Sequence, residues 1–233
     1  MNSIDEEIKA FNDDAAVAGE DAGISQDSCF NNVVTYPTSD SLEYRCFGNR
    51  FQINIPKNAP IHAAYWEGYI YTGILGNVAC DIYGHLTGNA PDFRSVLEGG
   101  WPIIWRRPRT NASVEWVEDN LEIGWHRSPG LQTIIQELVN QDDWAANNYL
   151  ALLFIAKVQE TVKRAGFHSW NFALGEIQEH EHATKLHIEY SAAPTKVDGL
   201  AAEKITDRSF RLSWNGNPVG EEISSYRVYL AKT

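Results

Sequence analysis

The sequence predicts an all-β protein of the sandwich type, crossed by one short helix. Three observations lead there. Ring-bearing residues are plentiful, with eight Trp, ten Tyr and nine Phe, and strands favour aromatic and β-branched side chains. Apolar and polar residues alternate over several short stretches, the period of a half-buried strand. A single well-marked stretch, close to residues 128–140, carries the i, i+3, i+4 spacing of a longer amphipathic helix.

Residues 1–28 are polar and acidic, with Asp13, Asp14, Glu20 and Asp21 in loose clusters. Ile4, Ile8 and Phe11 give at most one or two amphipathic turns, so the segment is expected to be a flexible arm that orders against a partner. Its acids lack the spacing of an EF-hand loop. From Asn49 a strand pattern begins: Phe51, Ile53 and Ile55 alternate with Arg50, Gln52 and Asn54. A turn with Pro56 and Pro60 leads to a second strand, Ile61 to Tyr71. After a glycine-rich turn, Val78, Cys80, Ile82 and Leu86 mark a third, and the two are read as a hairpin or meander.

Residues 87–108 read as a loop, with Phe93, Trp101 and Trp105 beside Arg106, Arg107 and Arg109. Two tryptophans in a loop either stack on sugar rings or close the end of a sandwich, since large rings bury well. Val114 and Trp116 open the next strand. Ser128 is placed as the cap of the helix and Pro129 as its first residue, where a missing N–H costs nothing. Leu131, Ile134, Ile135, Leu138 and Val139 form the apolar face, with Gln132, Gln136 and Glu137 off it. Asp142 and Asp143 are unfavourable at the negative end of the helix dipole, which ends the helix near Asn140. Tyr149 to Ile155 is apolar on both sides, as a central strand should be. A polar bridge, residues 159–164, precedes a further strand at Phe167 to Ala173, and Leu186, Ile188 and Tyr190 form the closing strand.

The formal charge of −12 argues against binding a phosphate backbone, which requires Lys and Arg to displace counterions. No apolar run reaches membrane-spanning length. The acidic first residues contain no secretory signal, so the expected site of synthesis is the cytoplasm. Cys29, Cys46 and Cys80 are too few and too widely spaced for a zinc knuckle or a redox pair, and the odd count leaves at least one thiol free. Hydrolase, phosphate-loop, zincin and dinucleotide fingerprints are absent. The best metal candidate is His180 and His182 between Glu179 and Glu181, with His168 as a distant third ligand, but a solvated loop explains these residues as well. Paired acids at Glu118–Asp119 and Asp142–Asp143 read as surface loops rather than a glycosidase pair. No catalytic residue, metal or cofactor is therefore expected.

The order of signatures carries a resemblance. The segment Ile55 to Trp66 is followed by RRPRTNASVEW (Arg106 to Trp116), then by Trp125 to Phe154 with its SPGLQTIIQELVNQDDWAANNYLALLF core, and then by KLHIEY (Lys185 to Tyr190). Together these resemble a jelly-roll-like β-sandwich module of bacterial surface proteins and bacteriophage structural proteins, similar in build to carbohydrate-binding modules. The tail resembles the opening of a fibronectin type III domain: Pro194, Gly199 and Leu200 fit a first strand, Phe210, Leu212 and Trp214 a second, and Tyr226, Val228 and Tyr229 a third. A whole sandwich of this build has about seven strands over about 100 residues, so this segment is a partial unit expected to dock on something.

The expected organisation is a polar arm (1–28), the sandwich (29–192) and the partial fibronectin type III-like segment (193–233). The resemblance implies a non-enzymatic bacteriophage virion protein, in tail, adaptor or head decoration. Its partners would be other virion proteins, in a homo-oligomer or symmetric assembly, with neither nucleic acid nor membrane. Phe11, Phe210, Trp214, Tyr226 and Tyr229 are the expected assembly contacts. The alternative is a carbohydrate-binding module for a surface polysaccharide. Trp101, Trp105 and Trp125 would then stack on the glycan, with Arg106 and Asp92 as polar partners. A coplanar, solvent-facing pair of these rings would favour that alternative.

Overall fold

A computed structural model of the chain describes residues 1–18, 30–35, 45–70, 77–93, 95, 97–98, 101–102, 104, 106–157, 163–168, 182–191, 199–206 and 209–215. The chain divides into two compact units, Met1–Ser191 and Ala192–Thr233.

Among its described residues the first unit is all-β with one α-helix and a short 3-10 turn at Phe11–Asp13. Its strands are β1 (Asn2–Glu7), β2 (Asp14–Ala18), β3 (Phe30–Thr35), β4 (Arg45–Ile53), β5 (Ile61–Ile70), β6 (Val78–His85), β7 (Leu97–Glu98), β8 (Trp101–Pro102), β9 (Arg109–Glu118), β10 (Gly124–Arg127), β11 (Asn148–Ala156), β12 (Lys163–His168) and β13 (Lys185–Tyr190), with helix α1 (Gln132–Val139) between β10 and β11. The main sheet runs β1-β13-β5-β12-β3-β4-β11-β6-β9, with β10 added to β5 and β2 to β4. Trp66 shows how this ribbon becomes a sandwich. It lies on β5, far from β9 in the strand order, yet its ring sits 5.0 Å from Phe154 of β11 and 6.0 Å from Trp116 of β9. The sheet therefore folds over itself and closes on a core of rings, in which Phe47 and Phe154 stack at 4.1 Å.

β11 is a central strand, paired with β4 on one side and β6 on the other. Its two faces enter two cores, which explains its apolar run. Leu150, Leu152 and Phe154 join the main core. Ala151 and Leu153 join a smaller core with Cys46, Ala90, Phe93 and Ile104. Phe93 thus closes an outer face of the sandwich, as loop aromatics commonly do. Cys46 and Cys80 are buried free thiols, while Cys29 lies outside the described residues.

Helix α1 buries Ile134, Ile135, Leu138 and Val139, the expected face, and Asn140 is its C-cap. Its start differs from expectation. Leu131 is the N-cap and no side chain caps the helix. The Ser128 hydroxyl instead accepts the N–H of Trp66 at 3.0 Å, bonding to β5 rather than to the helix. The helix packs closely on β6: a Cβ at Gly84 would lie 2.8 Å from Leu138 Cδ1 and 3.0 Å from Ile134 Cγ2.

Other expectations are corrected by the pairing. β5 and β6 form no hairpin: β5 pairs with β13, β12 and β10, and β6 with β11 and β9. The β6 strand stops at His85, before Leu86. β4 begins at Arg45 rather than Asn49. β12 begins at Lys163, inside the expected polar bridge, and residues 169–173 lie outside the described set. The expected arm is not an arm through residue 18. β1 pairs along its length with β13, β2 pairs with β4, and Ile8 is fully buried. Partners opposite make this edge tolerable for acids: Asp5 bonds His187 at 2.6 Å, and Glu7 lies 3.2 Å from the Lys185 ammonium. Residues 19–28 lie outside the described set.

In the second unit, β14 (Ala201–Thr206) and β15 (Ser209–Ser213) form an antiparallel ribbon. The first strand therefore follows Gly199 and Leu200 instead of containing them. Gly199 has φ +67°, the left-handed turn conformation that favours glycine. The third expected strand, with Tyr226, Val228 and Tyr229, lies outside the described residues.

Candidate functional site

The outer face of β10–β5–β13–β1 gathers a connected set of rings and charges. On β5, Ala64, Trp66, Gly68 and Ile70 point into the core, so Tyr65, Glu67 and Tyr69 point outward and are half-buried. The register sets Trp125 opposite Tyr69 and Arg127 opposite Glu67, and on the other side Lys185 opposite Glu67 and His187 opposite Tyr65. One row follows from this. Arg127 donates to Glu67 at 2.6 Å and lies 4.4 Å over the Tyr65 ring. Tyr65 stacks on His187 at 4.7 Å, and His187 bonds Asp5.

A second row lies beyond it. Lys185 Nζ sits 4.6 Å over Trp125, and Trp125 meets Tyr69 edge-on at 5.7 Å and 83°. Tyr69 stacks on His182 at 3.8 Å, and His168, the last residue of β12, stands 5.3 Å from Tyr69 and 5.1 Å from His182. Burial, and then the neighbouring His182, push the His168 imidazole down to about 4, so it is neutral near pH 7. Trp125 is 39% exposed.

A second locus lies between the ends of β6 and β9. A pocket of about 450 Å³ is lined by His85, Leu86, Thr87, Pro91, Arg106, Arg107 and Pro108. Arg107 is buried. It donates to the carbonyls of Pro91 and Asp92 at 3.0 Å each and approaches His85 Nδ1 at 3.2 Å, with Phe93 4.4 Å beneath it. Burial, and then the Arg107 charge, push His85 down to about 4. The Asp92 carboxylate accepts the N–H of Ser95 at 2.6 Å.

The expected glycan-stacking set is not brought together as a set. Trp125 is on β10 against β5, whereas Arg106 lines the β6–β9 pocket and Asp92 holds the loop beside it. Trp101 pairs through its backbone with Glu98, and its side chain and the whole of Trp105 lie outside the described residues. Trp125 meets Tyr69 at a right angle and carries Lys185 over its ring, so these two rings are not a coplanar platform. Of the expected assembly contacts, Trp214 is half-buried next to β15. The Phe11 and Phe210 side chains, with Tyr226 and Tyr229, lie outside the described residues. Glu179, His180 and Glu181 do so as well, and among the described residues no three His, Cys, Asp or Glu converge. The outward row Tyr65, Glu67, Tyr69 was not singled out in the sequence. Its signal was the i, i+2, i+4 alternation in AAYWEGYI, which assigns a face but does not name the residues opposite.

No protein-family description matches the chain, and no curated protein matches it.

Proposed function

We propose that the protein is a non-enzymatic structural component of a bacteriophage particle, in tail, adaptor or head decoration, and works by docking on other virion proteins. The observation that carries this reading is the β14–β15 ribbon. Its described residues are largely exposed: Ala201 to Lys204, Thr206, Ser209, Arg211 and Ser213 face solvent. Leu200 is 65% exposed beside it, while Leu212 and Trp214 are half-buried. An exposed ribbon with an apolar flank is the kind of surface that gains a strand or a partner. The sequence resemblance of the first unit to modules of bacterial surface proteins and phage structural proteins is a second ground for this reading.

Light scattering on the full chain and on a version ending at Ala193 tests it. A defined oligomer, or a complex with other particle proteins, that is lost on truncation is the expected result. A full chain that stays monomeric and ignores every protein of the particle would sink the reading.

A second reading rests on Trp125. It is partly exposed beside Tyr69 on the outer sheet face, and a surface polysaccharide could pack against it. A glycan array with the parent and Trp125→Ala is the check: binding that the substitution weakens about tenfold or more favours this reading, and an empty array removes it.

A further inference from the structure

The histidines at the end of the second row have no role in either docking or glycan stacking. His168 closes β12, and His182 lies just before β13, so the fold brings together two residues separated by the segment 169–181. Their rings are 5.1 Å apart and nearly perpendicular, at 81°. With metal–nitrogen bonds of about 2.1 Å and a tetrahedral angle, two imidazoles on one ion have centroids about 5 Å apart. Tyr69 stacks on His182 and meets His168 edge-on, so one ring restrains both.

We propose that His168 and His182 form a two-histidine binding site for a divalent transition-metal ion. Imidazole nitrogens suit Ni²⁺, Cu²⁺ or Zn²⁺, whereas Ca²⁺ and Mg²⁺ take oxygen ligands. His182 is half-buried. An ion here clips the end of β12 to the residues just before β13. It also sits beside Trp125, whose ring is 6.0 Å from His182.

The test uses full-length protein and Ni²⁺, followed by titration calorimetry and by the tryptophan fluorescence that Trp125→Phe removes. The expected result is one ion per chain, quenching of the Trp125 signal, and affinity weakened about tenfold or more by His182→Gln and by His168→Gln. His62→Gln, an exposed histidine bonded to Ser191, should leave binding unchanged. If His168→Gln fails to fold, Ni²⁺ protection of both histidines from acylation in the parent protein replaces it. Absence of binding at millimolar Ni²⁺ overturns the proposal. So does binding that survives the loss of either histidine, or that His180→Gln abolishes while His168→Gln does not.

Discussion

Asn49 shows how one polar side chain can organise a core. It is fully buried in β4, its Oδ1 accepts the indole N–H of Trp66 at 2.9 Å, and its amide donates to the carbonyl of Gly48. The largest ring of the core is thereby fixed across the two layers. Asn49→Ala strands that indole N–H in an apolar interior and should cost about 1–3 kcal/mol, measured by urea denaturation; an unchanged midpoint would show that water or a rearranged partner replaces it. His85 yields a pH prediction. Its folded value is about 4 against an ordinary 6.5. Between those limits the unfolded chain holds a proton that the folded chain refuses, so stability falls as pH drops through the window and levels off below it. His85→Gln should flatten that loss, and His168 adds a contribution of the same sign. Urea midpoints at pH 7 and pH 4.5 for parent and variant decide it: equal losses in both remove His85 as a cause.

At the scale of the element, α1 is held by more than its apolar face. Gln136 accepts the N–H of Ile61 at 2.9 Å and donates to the carbonyl of Ala59 at 3.1 Å, at the start of β5. Glu137 accepts the N–H groups of Asn111 and Ala112 at 2.8 Å each, on β9. Two of the residues off the apolar face, Gln136 and Glu137, thus fasten one helix to both β5 and β9. Glu137→Ala should destabilise by about 1.5–3 kcal/mol, the range for hydrogen bonds to a charged acceptor. Glu137→Gln, which keeps one acceptor oxygen, should lose less. Thermal melts of the pair give the order, and a reversed order would place the role of Glu137 elsewhere.

At the scale of the molecule, β1 is the cover of a sheet edge. It pairs with all six residues of β13, and the chain just after it buries Ile8 completely. Deleting residues 1–9 opens that edge and leaves an apolar vacancy, which for a single large aliphatic side chain costs about 2–5 kcal/mol. Lower thermal stability and aggregation through the bared β13 edge are expected. A deletion that stays monomeric with the parent melting temperature would show β1 to be dispensable. The acidic character of the segment concealed this role: Asp5 and Glu7 suit an edge only because His187 and Lys185 stand opposite them.

Periodicity was legible because it belongs to a single segment. The apolar run of β11, the alternation of β4 and β13 and the stripe of α1 each state which side chains must leave water, and each segment buries as its pattern requires. The choice of partner was not legible, because it depends on surfaces supplied from far along the chain. Val78 to His85 follows β5 closely in sequence, yet β6 lies with β11 and β9, where Ile82 and Cys80 reach the shared core. Ser128 had the chemistry of a helix cap, but its hydroxyl satisfies the Trp66 amide instead, since a buried N–H must find an acceptor. The same holds for the candidate sites. The sequence by itself determined an all-β chain with one amphipathic helix and a neighbouring β unit. Only the tertiary structure separated Trp125 from Arg106 and joined Tyr69, His168 and His182, because closing the sheet around Trp66 decides which outward residues become neighbours.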